Sequence, residues 1–158
     1  MQDSALPCLN KPFAWDILKK VRVLGLDLGK KRIGVAISDE SGTIARPLMT
    51  VERSGAERAL VKISRMAEEY SCTTVVVGIP YNMDGSSGRA ASAALTFIEK
   101  LKEKLPDIEI TGWDERLSTV AVERVLIEGD VRRDKRKGII DKLAASYILQ
   151  GYLECVKK

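Results

Sequence analysis

Thr74–Ile79, TVVVGI, is the stretch that narrows the fold most. It shows no alternation of polar and apolar residues, so both of its faces are apolar. A strand tolerates that only at the centre of a sheet covered by helices on both sides, which is the usual setting of parallel strands. The flanking sequence supplies such helices. Ser54-Gly55-Ala56-Glu57 reads as a capping box with Ser54 as N-cap, ahead of a helix with Ala56, Leu60, Ile63, Ala67 and Tyr70 on one face. Pro80 ends the apolar run and Tyr81–Gly88 is rich in turn formers. A second helix then aligns Ala91, Ala94, Leu95, Ile98, Leu101 and Leu105, until Pro106-Asp107 breaks it.

The same test finds the other strands. Val21–Leu28 and Arg32–Ser38 are two apolar segments joined by Gly29-Lys30-Lys31, the pattern of a β-hairpin. A third strand over Ile44–Val51 contains Pro47, which predicts an edge position or a bulge. Ile108–Gly112 is a short strand ending at Trp113-Asp114-Glu115-Arg116. A third helix from about Ser118 stops at Gly129, and a last one from about Ile139 places Ile140, Leu143, Ala144, Tyr147 and Gly151 on its core face. The order β-β-β-α-β-α-β-α-α predicts an α/β fold: a five-stranded mixed sheet, three antiparallel strands followed by two parallel ones, with helices on both faces. Residues 1–20 read as an extension outside the domain over 21–156.

The chain of 158 residues contains no histidine. Histidine-based nucleophilic triads, histidine general bases and histidine-ligated metals are thereby excluded. Cys8, Cys72 and Cys155 are far apart and odd in number, which argues against a disulfide framework or a structural zinc site. No apolar run approaches the ~18 residues of a membrane span. The acid at position 3 and the lack of an apolar h-region at the start speak against a secretory signal, and the expected location is the cytoplasm.

The remaining chemistry is that of carboxylates. Period-2 alternation puts Val23, Gly25 and Asp27 on one face of the first strand and Leu24, Leu26 and Leu28 on the other. A lone carboxylate near the end of a core strand is costly unless something pairs with it, commonly a cation. Catalytic groups in such sheets gather beyond the carboxyl ends of parallel strands. Asp27, Pro80–Gly85 and Asp114-Glu115 all fall at such ends. Asp141 lies early in the last helix, about 100° from the centre of its predicted apolar stripe, on the flank toward the sheet edge. Three acids so distributed suit a hard divalent cation that retains water and takes further ligands from phosphate. Such an ion can activate water and clamp a scissile phosphate.

The basic residues point to the same substrate. The net charge is +4, and Arg132, Arg133, Lys135, Arg136 and Lys137 stand just ahead of Asp141. Lys30, Lys31 and Arg32 adjoin Asp27, and Lys142 follows Asp141. Clusters flanking acidic ligands fit backbone phosphates, and with few aromatics available for stacking the expected recognition is of shape and backbone.

GLDLGKKRIGVAISD, VVVGIPYNMDGSSG, WDERLST and DKLAASYILQGYL, in that order, resemble the YqgF/RuvX family of Holliday-junction-resolvase-like proteins in the ribonuclease-H-like superfamily. The resemblance runs from about Val21 to Leu153. It implies a ribonuclease-H-like fold, a Mg²⁺- or Mn²⁺-dependent nuclease, and a role in maturing the 5′ end of pre-16S ribosomal RNA. By the same resemblance Asp27, Glu115 and Asp141 are the metal-holding, catalytic acids, with Asp114 as the alternative to Glu115. The expected nucleic-acid contacts are Lys30, Lys31, Arg32, Arg116, Arg132, Arg133, Arg136, Lys137 and Lys142. Strand alternation lets only one of Asp114 and Glu115 point inward, and Glu115 is favoured. Tyr81 stands where the family pattern suggests an aliphatic residue, and TVVVGIP lacks the fourth acid found in other nucleases of the superfamily. Alternative readings are a four-way-junction DNA resolvase or a non-catalytic nucleic-acid-binding module. A dimer suits the resolvase and a monomer suits RNA trimming.

Overall fold

A computed structural model describes residues 20–116 and 132–157, with the side chains of Arg133, Asp134, Lys137, Ile140, Asp141 and Lys142 left outside that description. All of the predicted extension over 1–20 except Lys20, and the predicted helix over 118–129, also lie outside it. Within it the strands are β1 (Arg22–Leu28), β2 (Arg32–Ser38), β3 (Ala45–Glu52), β4 (Cys72–Ile79) and β5 (Glu109–Asp114). The helices are α1 (Ala56–Glu69), α2 (Arg89–Lys104) and α3 (Arg133–Val156).

The strands form one sheet in the order β3-β2-β1-β4-β5. β1 pairs antiparallel with β2 and β2 antiparallel with β3, whereas β4 runs parallel to both β1 and β5. The mixed sheet expected from the sequence is the one observed. β3 is an edge strand, and its register shifts where Val35 faces Met49 but Ala36 faces Pro47, a bulge beside the proline.

Two cores sit on the two faces of the sheet. Leu24, Leu26, Ile33, Val35, Val75 and Val77 are buried against α1 and α2. Val23, Ala36 and Val76 are buried against Ala145, Ile148, Leu149 and Leu153 of α3. The doubly apolar β4 is buried on both sides, as its sequence requires.

Several local expectations need correcting. Helix α1 is capped by Gly55 with no side-chain hydrogen bond, so the Ser54–Glu57 capping box does not form. Glu57 is drawn instead to Lys104 at the end of α2, 2.6 Å away. Ala56 and Leu95 are exposed, and Met66 and Phe97 fill the core positions that the apolar periodicity assigned to neighbours. The basic run is no connecting loop, since α3 begins at Arg133 rather than near Ile139. Its packed stripe is Ala144, Ala145, Ile148, Leu149 and Leu153, with Tyr147 facing outward. The expected placement of Asp141 on the flank of the stripe concerns a side chain outside the description.

Candidate active site

Asp27 and Glu115 come from strands that do not touch. β4 lies between β1 and β5, and two inter-strand spacings amount to about 10 Å. Glu115 follows β5, and its backbone N–H donates to the carbonyl of Ile79 at 3.3 Å, which anchors it at the end of β4. Its side chain then crosses the β4 backbone at Gly78. A Cβ placed on Gly78 would run into Glu115 Oε2 and would stand 2.6 Å from Ile148 Cδ1. The missing side chain leaves the channel through which Glu115 reaches Asp27.

The consequence is electrostatic. Burial pushes the Glu115 carboxyl up to about 8, reinforced by the Asp27 charge, a hydrogen bond shared with Asp27, and the more distant Asp114. Near neutral pH the two carboxyls therefore share a proton. Glu115 Oε2 is buried with no hydrogen-bond partner. A buried acceptor left unsatisfied costs about 1–3 kcal/mol.

Asp114 takes another course. It is exposed, and both of its oxygens bind Arg116, with Oδ2 2.7 Å from Arg116 Nη2. That ion pair holds its carboxyl below the usual range and keeps it out of the Asp27–Glu115 contact. Trp113, one residue earlier, lies against Gly151 of α3 and makes an edge-on contact with Tyr152 at 6.1 Å. The end of β5 is thus fixed to the helix that carries Asp141.

Helix α3 runs antiparallel to β1. Its last turns reach Thr43 and Ala45 through Lys157 and Gln150, near the start of β1, and its first turns stand toward the end bearing Asp27. Gly25 permits the approach: a Cβ there would be 2.7 Å from Leu149 Cβ and 3.2 Å from the Ala145 carbonyl. The Asp141 side chain lies outside the described ones. Among the described residues no three acids, cysteines or histidines converge as a metal cluster.

Lys30, Lys31 and Arg32 are exposed on the hairpin turn, and Arg32 pairs with Glu52 at 3.4 Å. Arg116 is held by Asp114, so two of the expected nucleic-acid contacts already have acidic partners. Arg132 is exposed at the N-cap of α3, and Arg136 is half-buried with a partner of its own. The side chains of Arg133, Lys137 and Lys142 are outside the description. Tyr81 packs against the α1–α2 core instead of opening the loop. Arg53 and Arg89 were not foreseen. They are isolated cations in sequence, and only the fold brings them beside Lys30.

A five-stranded mixed sheet in the order β3-β2-β1-β4-β5, covered by helices on both faces, is the ribonuclease-H-like fold. Its architecture is shared with Thermus thermophilus RuvC, solved in complex with a Holliday junction substrate, at a TM-score of 0.56 and 15% identity over 87% of this chain and 96% of RuvC. Within that class the chain belongs to the RuvX family, described as Holliday junction resolvase, whose model matches residues 21–155. A protein of Desulforamulus reducens named "Putative pre-16S rRNA nuclease" is 49% identical, covering 85% of this chain and 97% of its own length. One of the same name from Clostridium beijerinckii is 44% identical, covering 87% and 99%.

Proposed function

We propose that residues 21–156 form a divalent-metal-dependent nuclease that trims the 5′ end of pre-16S ribosomal RNA, with residues 1–20 an extension outside it. Asp27, Glu115 and Asp141 are its catalytic acids. The observation that carries this reading is the buried, partnerless Glu115 Oε2 beside Asp27. Two oxygen donors that must otherwise share a proton are a fitting half-site for Mg²⁺ or Mn²⁺, which prefer carboxylate oxygen and retain water. Asp141, in the first half of α3, would contribute the third carboxylate. The relatives named for pre-16S rRNA support the choice of substrate.

When bound, a divalent ion supplies Lewis-acid polarisation of the phosphate and a more acidic water. The chain supplies the rest. Asp27 and Glu115 give up their shared proton and orient the donor oxygens, while the β4 backbone at Gly78 holds Glu115 across the sheet. Hydrolysis joins water oxygen to phosphorus, breaks the P–O bond and leaves a proton on the departing oxygen. Basic residues at the hairpin turn and at the start of α3 hold the neighbouring phosphates.

The test is cleavage of precursor ribosomal RNA and of four-way-junction DNA by wild type and Asp27→Asn, each with Mg²⁺, Mn²⁺ or chelator. Metal-dependent cleavage of the RNA that Asp27→Asn abolishes is expected. Cleavage that survives both chelation and the substitution would remove the carboxylate site, and preference for the junction would make the enzyme a DNA resolvase.

A further inference from the structure

On the face of the sheet opposite Asp27, the hairpin turn and the start of α2 enclose a cavity of about 470 Å³. Its walls are Leu28, Gly29, Ala90, Ala93 and Ala94, and its cations are Lys30, Arg53 and Arg89. Leu28 follows Asp27 directly and points to the other side of the strand. Two residues of strand rise place Gly29 only ~7 Å along the chain from Asp27.

The cations are arranged rather than scattered. The backbone N–H of Arg53 donates to the carbonyl of Lys31 at 2.9 Å, and its guanidinium Nη1 donates to the carbonyl of Gly29 at 2.8 Å. The guanidinium is therefore fixed against Gly29 in the cavity lining. No carboxylate among the described residues pairs with Lys30, Arg53 or Arg89. The first turn of α2 likewise carries no acid and no side-chain cap. Three cations around one opening, none paired with a carboxylate among the described residues, favour an anionic occupant. The volume is that of a site for a small organic molecule, more than a bare phosphate needs. The alanine and leucine wall offers an apolar surface that a nucleobase can cover.

We propose that this cavity receives one unpaired nucleotide of the substrate strand, its phosphate on Arg53, Arg89 and Lys30 and its base on Leu28, Ala90 and Ala93. The strand identity rests on the nuclease reading above. A base held in a paired stack cannot enter such a cavity, so the site selects substrates with unpaired nucleotides beside the cut. The same chemistry lets one strand cross the sheet edge with its scissile phosphate at Asp27 and a neighbour anchored behind the turn.

The binding arm uses isotopically labelled, metal-free protein in chelator, titrated with adenosine 5′-monophosphate or with inorganic phosphate. The nucleotide should shift the amide signals of Gly29, Ala90 and Ala93, and Ala93→Trp, which fills the cavity from an exposed helix position, should abolish those shifts. Equal shifts from phosphate alone, or none from the nucleotide, would overturn the proposal. The substrate arm compares Ala93→Trp and Arg89→Ala on RNA with unpaired nucleotides at the cut and on its fully paired counterpart. Loss of the apolar seat in one variant, or of a phosphate contact in the other, should weaken binding of the unpaired RNA about tenfold and leave the paired one within about twofold. An equal effect on both, or on neither, would sink it. Asp27→Asn separates the two readings. If it cleaves like wild type while the cavity binds nucleotide, the catalytic assignment falls and the cavity stands. If it is inactive while both cavity variants behave as wild type, the reverse holds.

Discussion

Glu115 reaches Asp27 by passing directly over Gly78, where even a methyl group would strike its carboxylate. The contact joins the two outer members of a three-strand row, β1, β4 and β5, through a gap in the middle one. Ile148 of α3 closes the same gap from above. One missing side chain thus sets both the path of an acid and the depth to which a helix packs.

Gly78→Ala should therefore damage function more than its single added carbon suggests. Overpacking against fully buried Ile148 should lower stability by about 1–3 kcal/mol. Displacing a catalytic group by about 1 Å can reduce turnover on the order of a hundredfold. Urea unfolding midpoints measured beside cleavage rates, under conditions where both proteins are folded, check this. Wild-type rates in a correctly folded variant would show that Glu115 need not lie over β4.

The Glu115 carboxyl, raised from 4.5 to about 8, makes a signed prediction for metal-free protein. The group is more easily ionised in the unfolded chain than in the fold. Its contribution to stability is thus fully present below about pH 4.5 and is lost as pH rises through about 8. In that window stability should fall by at most about 1.4 kcal/mol per pH unit, and Glu115→Gln should remove the slope. The lowered carboxyls of Asp39, Asp84 and Asp114 act in the opposite sense, losing stability as the solution turns acid, outside this window. Urea titrations of both proteins in chelator between pH 5 and pH 9 give the comparison; parallel curves would contradict the assignment.

What the sequence reveals here depends on how local each signal is. TVVVGI and the hairpin repeat their apolar pattern within a few residues, so the strands and their order were readable. Pro47 marked the edge because a missing N–H matters wherever the strand pairs. Alternation separated Glu115 from Asp114, and the Asp114–Arg116 ion pair shows why the outer acid stays in solvent. Helix faces were harder. Tyr147 and Leu95 fit an apolar stripe by type but lie just off the direction set by the sheet, a tertiary choice. The roles of Gly78 and Gly25 were invisible, because a glycine that clears space for a distant side chain resembles any other. Arg53 and Arg89 are 36 positions apart and meet only through the fold.

Cys72 and Cys155 should differ sharply in reactivity. Burial pushes the Cys72 thiol up to about 11, against a small opposing pull from Arg22. At pH 8 about one molecule in a thousand then carries the Cys72 thiolate. Cys155 is exposed near the end of α3. Alkylation of native protein followed by peptide mass analysis should label Cys155 and spare Cys72 until denaturant is added. Equal labelling would mean that the start of β4 opens readily in the native state.

The first turns of α3 set stability against binding. Arg132 is the N-cap and offers no side-chain hydrogen bond to the helix, and Arg133, Lys135 and Arg136 follow at once. Cations at a helix N-terminus oppose its dipole, by roughly 0.3–1 kcal/mol each. That placement is unfavourable for the free protein and useful for one that grips phosphates. Arg132→Ser supplies a good N-cap and removes one charge, so it should raise stability by about 1 kcal/mol. The same change should weaken RNA binding and reduce the slope of log affinity against log salt by about 0.7. Thermal unfolding and binding isotherms at several salt concentrations read the two effects separately. An unchanged salt slope would make Arg132 an ordinary solvated residue, whatever the gain in stability.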